Sequence, residues 1–186
     1  MRCRLVGSEM CIRDRYNDRF AQFAYDNDFN LPQPPPAPTV SVFEGDGYIT
    51  LNWAETAAYT NSESYNQAGF KFEGYKVYQL PSATASAADG VVVAIYDVPN
   101  GVKVISEPAL DGATGLFFDK PAHVGGDFGV SRMVIITNDA LKNRPITNDR
   151  PYYFGVVAYA YLEDNAGAPF KSCLLYTSPS PRDDIS

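Results

Sequence analysis

The sequence predicts an all-β fold, an antiparallel β-sandwich with long loop insertions. Three observations carry this expectation. The chain holds 13 tyrosines and 11 phenylalanines, with frequent β-branched residues, a composition that suits pleated, half-buried strands. Short runs of alternating apolar and polar residues recur between Gly-, Pro- and Asn-bearing turns. No segment sustains the 3.6-residue period of an amphipathic helix.

The ends of the chain call for separate treatment. Residues 5–14 (LVGSEMCIRD) and 173–182 (CLLYTSPSPR) are both encoded by one stretch of DNA, read on its two strands with a shift of one base. That DNA resembles a transposon-end sequencing adapter. Residues 1–15 and 172–186 are therefore expected to be adapter-derived and are left out of the fold argument. What remains is a fragment, residues 16–171, so the lack of a leader at Met1 says nothing about export. Cys3, Cys11 and Cys173 all fall in the excluded ends. The natural segment then has no cysteine, which excludes a disulfide framework and a thiolate metal site within it.

Residues 16–31 read as the tail of an upstream unit. Asp26, Asp28 and Asn30 alternate like a calcium loop, but Leu31 and Ala37 stand where an EF-hand loop needs Gly and Glu. A solvated acidic segment fits better. Pro32, Pro34, Pro35, Pro36 and Pro38 then crowd together. Proline fixes φ and removes the amide donor, so this stretch is extended and semi-rigid, an inter-domain linker. The domain is expected over residues 38–171.

Strand signals follow in order. Residues 39–44 alternate up to the turn Gly45-Asp46-Gly47. In residues 48–54, Ile49, Leu51 and Trp53 share one face. Residues 55–69 read as an inserted polar loop and 70–80 as the next strand. A loop at 81–90 leads to a strand at 91–98 and to the tight-turn pair Asn100-Gly101. Residues 106–129 are a second insertion, rich in Gly and Asp, with a short strand at 116–119. Residues 131–137 form a strand, 138–143 a single helical turn capped by Asn138, and 151–162 the last strong strand. Short strands separated by turns, without a long helix, give the sandwich.

The key residues resemble those of a fibronectin type III domain. Leu51-Asn52-Trp53 stands where that family places a core tryptophan. Gly74-Tyr75-Lys76-Val77-Tyr78 is similar to its Gly-Tyr-x-Val-Tyr strand, and Tyr152-Tyr153-Phe154-Gly155-Val156-Val157-Ala158 to its Tyr-x-Phe-x-Val-x-Ala strand. The resemblance implies an immunoglobulin-like core built on Trp53, Tyr75, Val77, Tyr152, Phe154 and Val156, with Tyr152 as a tyrosine corner bonded to nearby backbone. It also implies a final strand after Leu162. That strand is expected to have been lost, with Leu174-Leu175-Tyr176 able to imitate it; without it the neighbouring edge invites aggregation. The phrases Phe29-Asn30-Leu31-Pro32 and Asn148-Asp149-Arg150-Pro151-Tyr152-Tyr153-Phe154 also resemble modules of large secreted bacterial proteins, which implies an extracellular or cell-surface location.

Charge and motifs narrow the function. Residues 16–171 hold 10 basic and 18 acidic residues, a net charge of −8. Such a surface repels nucleic acid and anionic membranes, and no apolar run approaches a membrane span. His123 is the only histidine and sits in a Pro/Gly-rich stretch with no nucleophile beside it. Gly129-Val130-Ser131-Arg132-Met133 begins like a nucleophile elbow but lacks the closing glycine. Gly125-Gly126-Asp127 and Gly112–Gly115 are glycine-bearing turns with no P-loop lysine after them. No catalytic residue, cofactor or metal ligand is expected. Tyr78, Tyr153, Tyr159 and Tyr161 alternate away from the expected core. They form either a stacking face for glycans or a neighbouring module, or cross-strand pairs covered by the long loops. The expected role is a non-catalytic extracellular spacer or adhesion module whose partners are neighbouring domains, glycans or surface proteins. The alternatives are an accessory module of a secreted hydrolase and a calcium-stiffened linker.

Overall fold

A computed structural model describes residues 21–22, 24–113, 117–162 and 173–176. The terminal adapter-like segments, apart from 173–176, and residues 163–172 lie outside the described residues. The chain runs β1 (Ser41–Gly45), β2 (Tyr48–Asn52), α1 (Ala58–Glu63), β3 (Asn66–Gln67), β4 (Phe70–Leu80), β5 (Val91–Asp97), β6 (Val104–Leu110), β7 (Phe117–Val124), β8 (Met133–Ile136), β9 (Asn138–Asp139), β10 (Arg144–Pro145), β11 (Tyr153–Leu162) and β12 (Cys173–Tyr176). Every pairing is antiparallel.

Two sheets make the sandwich. The first has the order β1-β2-β8; the second runs β12-β11-β4, and β3 and β5 both pair with β4. Local sequence explains the first sheet well. Asp46 and Gly47 close the β1–β2 hairpin, and Gly47 takes φ +74, a conformation glycine adopts without steric cost. Ile49 and Leu51 then point inward with Trp53, as period-two alternation requires.

The core lies between the sheets. Val40, Ile49, Leu51, Trp53 and Ile136 from one side meet Phe72, Tyr75, Val77, Val156 and Ala158 from the other. Trp53 is fully buried and meets Tyr75 edge-on, with ring centroids 5.6 Å apart. Its indole N–H finds no acceptor among the described residues. Burial of the large ring outweighs that loss, which is worth about 1–3 kcal/mol. Tyr152 is buried, and its hydroxyl accepts the Thr147 N–H at 3.1 Å. Phe154 is partly buried and packs against the same cluster.

β4 does not keep strict alternation. The β4–β11 register slips between Tyr159 and Ala160, so Glu73 has no partner residue on β11. This bulge turns both Phe72 and Tyr75 toward the core, with ring centroids 4.9 Å apart.

The insertions carry more structure than the sequence suggests. Residues 55–69 contain α1 and β3. Residues 106–129 hold most of a long hairpin, β6–β7, rather than only a short strand at 116–119; residue 116 itself lies outside the described residues. Residues 138–143 are not a helical turn capped by Asn138. They form β9 and a reversal at 140–143, with Asn143 at φ +48, that leads into β10. The reversal is fixed from outside: Gln79 donates to Asp139 Oδ1 at 2.9 Å and accepts the Ala140 N–H at 2.7 Å. At the far edge, Leu174, Leu175 and Tyr176 pair with Tyr161, Ala160 and Tyr159.

Trp53→Ala removes the largest side chain between the sheets. It is expected to cost about 3–5 kcal/mol, read from urea-induced unfolding followed by circular dichroism. A loss below about 1 kcal/mol would mean that the ring is not the keystone of this core.

Candidate functional site

The outer face of β4 and β11 is where the sequence places Tyr78, Tyr153, Tyr159 and Tyr161. The register does bring them to one face, with Tyr153 opposite Leu80, Tyr78 opposite Gly155, Tyr159 opposite Gly74 and Tyr161 opposite Lys71. They do not form an exposed stripe. Tyr159 is fully buried, and the other three are half-buried. Over Tyr159 and Tyr161 the cover is the β6–β7 hairpin, which packs against this part of the face. Ile105 packs on Tyr159, with Val102, Ala122 and Tyr161 around them.

Under the hairpin lies a polar cluster that no sequence motif announces. His123 stands on β7 rather than in a loop, and its Nε2 is 3.0 Å from the Tyr159 hydroxyl. Glu73, Lys76, Asp97 and His123 are all at least nine-tenths buried. Asp97 ends β5, where its Oδ2 accepts the Asp127 N–H at 3.0 Å. Asp127 Oδ1 accepts the Gly101 N–H at 3.0 Å. Asn100 donates to Glu73 Oε2 at 2.8 Å, and the Lys76 ammonium sits 5.5 Å from the centre of the Tyr159 ring.

Two glycines make this approach possible. A Cβ on Gly74 would stand 2.0 Å from the Tyr96 carbonyl oxygen and 2.9 Å from the Tyr159 hydroxyl. A Cβ on Gly125 would stand 1.9 Å from Asp97 Oδ2 and 2.8 Å from His123 Nε2.

Burial sets the charges. It pushes the Glu73 carboxyl up to about 7, opposed by the Asn100 hydrogen bond and helped by the carboxylates of Asp97 and Asp127. Burial, with Lys76 nearby, pushes His123 down to about 4, while Asp97 pulls the other way. At neutral pH the imidazole is uncharged. His123 Nδ1 and Glu73 Oε1 have no partner among the described residues. The buried imidazole, bonded to the Tyr159 phenol, ties β7 to β11.

The other residues singled out in the sequence are accounted for locally. The Ser131 hydroxyl donates to the Met133 carbonyl at 2.8 Å. Arg132 grips Glu63 of α1 through two bonds of 2.8 and 2.7 Å and lies 4.5 Å over the Tyr59 ring. Among the described residues, no three His, Cys, Asp or Glu side chains converge to hold a metal ion, and no helix is long and apolar enough to cross a membrane. Comparison with protein-family models, curated proteins and solved structures finds no match for this chain.

Two predictions follow from the cluster. Gly74→Ala meets backbone rather than a movable side chain, and is expected to cost about 1–3 kcal/mol in chemical unfolding; a neutral result would show that β5 yields freely. The second concerns pH. His123 titrates below its ordinary 6.5 when folded, so the unfolded chain takes the extra proton and stability falls as pH drops from 6.5 toward about 4. Glu73 titrates above its ordinary 4.5, so the folded chain keeps the extra proton and stability falls as pH rises from 4.5 toward about 7. The two contributions cancel where the windows overlap. Glu73→Gln exposes the histidine term, and its unfolding midpoint is expected to drop relative to the parent on acidification. His123→Gln exposes the opposite slope. Parallel pH profiles for the parent and both variants would remove the basis for these assignments.

Proposed function

We propose that the chain is a fibronectin type III-like module acting as a non-catalytic spacer in a larger extracellular protein. The order of strands supports the family reading. β8 lies between β5 and β11 in sequence yet joins β1 and β2, while β11 returns to pair with β4, a Greek-key path between two sheets. Tyr152 stands just before β11 with its hydroxyl on backbone five residues upstream, the arrangement of a tyrosine corner. On this reading the edge of β11 now taken by Cys173–Tyr176 is where a native closing strand belongs. The extracellular setting rests on the resemblance of residues 29–32 and 148–154 to modules of large secreted bacterial proteins.

One observation carries the spacer role. The proline segment is fastened to the body of the domain. Pro35 and Pro38 are buried. Ser62 donates its hydroxyl to the Pro36 carbonyl at 2.6 Å, Tyr65 donates its hydroxyl to the Gln33 carbonyl, and the Gln33 N–H reaches Gln67 Oε1 at 3.2 Å. All three partners come from the 55–69 insertion. That insertion is itself anchored, because Glu63 is held by Arg132 and accepts the Tyr75 hydroxyl at 3.3 Å. Proline stiffens the linker; the clamp stops it from swivelling on the domain. A spacer sets the direction of its neighbour only when both conditions hold.

Backbone 15N relaxation tests the clamp. The amides of Gln33, Ala37 and Thr39 are expected to show order parameters near 0.85, like the strands, and to fall below about 0.6 in the Ser62→Ala/Tyr65→Phe double variant. Parent values already as low as the variant's would overturn the spacer reading.

A further inference from the structure

A cleft of about 760 Å³ opens between the β1–β2 turn and the segment leading into β11. We propose that it is a binding site for a neutral pyranose unit of a glycan, with Tyr48 as the stacking platform. This inference is independent of the spacer reading: it uses different residues and a different end of β1.

The platform is fixed before any ligand arrives. Tyr48 lies opposite Gly45 in the hairpin register. A Cβ built on Gly45 would fall 2.2 Å from the ring's Cζ, so the ring lies flat over the glycine where a side chain would otherwise stand. Tyr48 as a whole remains 43% exposed, and it lines the cleft. An aromatic ring held on one face and open on the other offers what the C–H face of a sugar needs.

Polar groups converge around it. Asn148 accepts the Gly47 N–H at 3.1 Å and donates to Asp46 Oδ1 at 2.9 Å. These bonds tie the turn to the opposite wall and fix the Asp46 carboxylate. Asp149 holds φ +60, an uncommon conformation for a residue with a side chain, and Arg150 follows it in the same wall. Carboxylate, amide and guanidinium are planar groups that bond pairs of adjacent hydroxyls. The charge balance selects the ligand class. Glu44, Asp46 and Asp149 outnumber Arg150, which disfavours phosphate, sulfated and uronic sugars and leaves neutral ones.

The test is a titration of the 15N-labelled chain with soluble neutral glucan, xylan and mannan oligosaccharides. One stacked ring with a few hydrogen bonds gives a Kd of about 1 mM, so the probes are taken to about 10 mM. At least one probe is expected to shift the amides of Gly47, Tyr48, Asn148 and Asp149. Tyr48→Phe keeps the response; Tyr48→Ala and, separately, Arg150→Ala weaken it by about tenfold. Both side chains line the open cleft, and thermal unfolding confirms that each variant is folded. No shift with any probe overturns the proposal. So does an undiminished response in Tyr48→Ala, or a response to a lysine-rich peptide in place of the sugars, which would mark the cleft as a cation site.

Discussion

β4 is buried on both of its faces, and much of the molecule follows from that. One face looks into the sandwich core; on the other, Gly74 and Lys76 lie against Tyr159, the ring on which the β6–β7 hairpin packs. Strands covered on both sides are usually near-continuous apolar runs. β4 instead carries Glu73, Lys76 and Gln79, all buried. A buried polar group is costly unless it is bonded, so each imposes a partner. Gln79 reaches β9 and fixes the reversal before β10. Glu73 takes the Asn100 amide and so fixes the turn after β5. Lys76 faces the Tyr159 ring.

The bulge at Glu73 reconciles these demands. Without it, strict alternation would set Phe72 and Tyr75 on opposite faces. With it, both aromatics enter the core and Glu73 is released toward the turn at 98–102, where Asn100 is waiting. Gly74 completes the device by leaving room for the Tyr96 carbonyl and for the Tyr159 hydroxyl. One extra residue in a strand thus serves two packing surfaces, and the polar cluster gives the hairpin a definite docking position where apolar contacts alone would allow it to slide.

The parts of this fold legible in the sequence are those in which side chain and backbone repeat together. Period-two alternation placed Ile49, Leu51 and Trp53 inward, and the aromatic run of β11 placed Phe154, Val156 and Ala158 against them. It also assigned Tyr159 to the outer face. It could not say what covers that face, because alternation reports a direction and not a neighbour. The β6–β7 hairpin escaped notice because Pro108, Pro121 and the glycines at 112 and 115 read as loop. α1 escaped because six residues are too few to show a period. The cluster draws on three separate stretches, 73–76, 97–100 and 123–127, which become neighbours only in the fold. A usable signal was present nonetheless: large aromatics at 72 and 75, three apart in a strand, already imply a bulge.

The two insertions act alike on different parts of the sandwich. Each brings side chains to backbone or rings that a bare sandwich would leave exposed, one to the proline segment and the other to the outer face of β11. β1 connects the consequences. The clamped linker enters at its start and the Tyr48 cleft opens at its end, with five residues, roughly 17 Å of extended chain, between them. A strand is stiff over that distance. The direction imposed on the proline segment therefore also fixes where the cleft points relative to that segment. With a sugar in the cleft, as proposed, the short reach of β1 would make spacing and binding properties of one rigid piece.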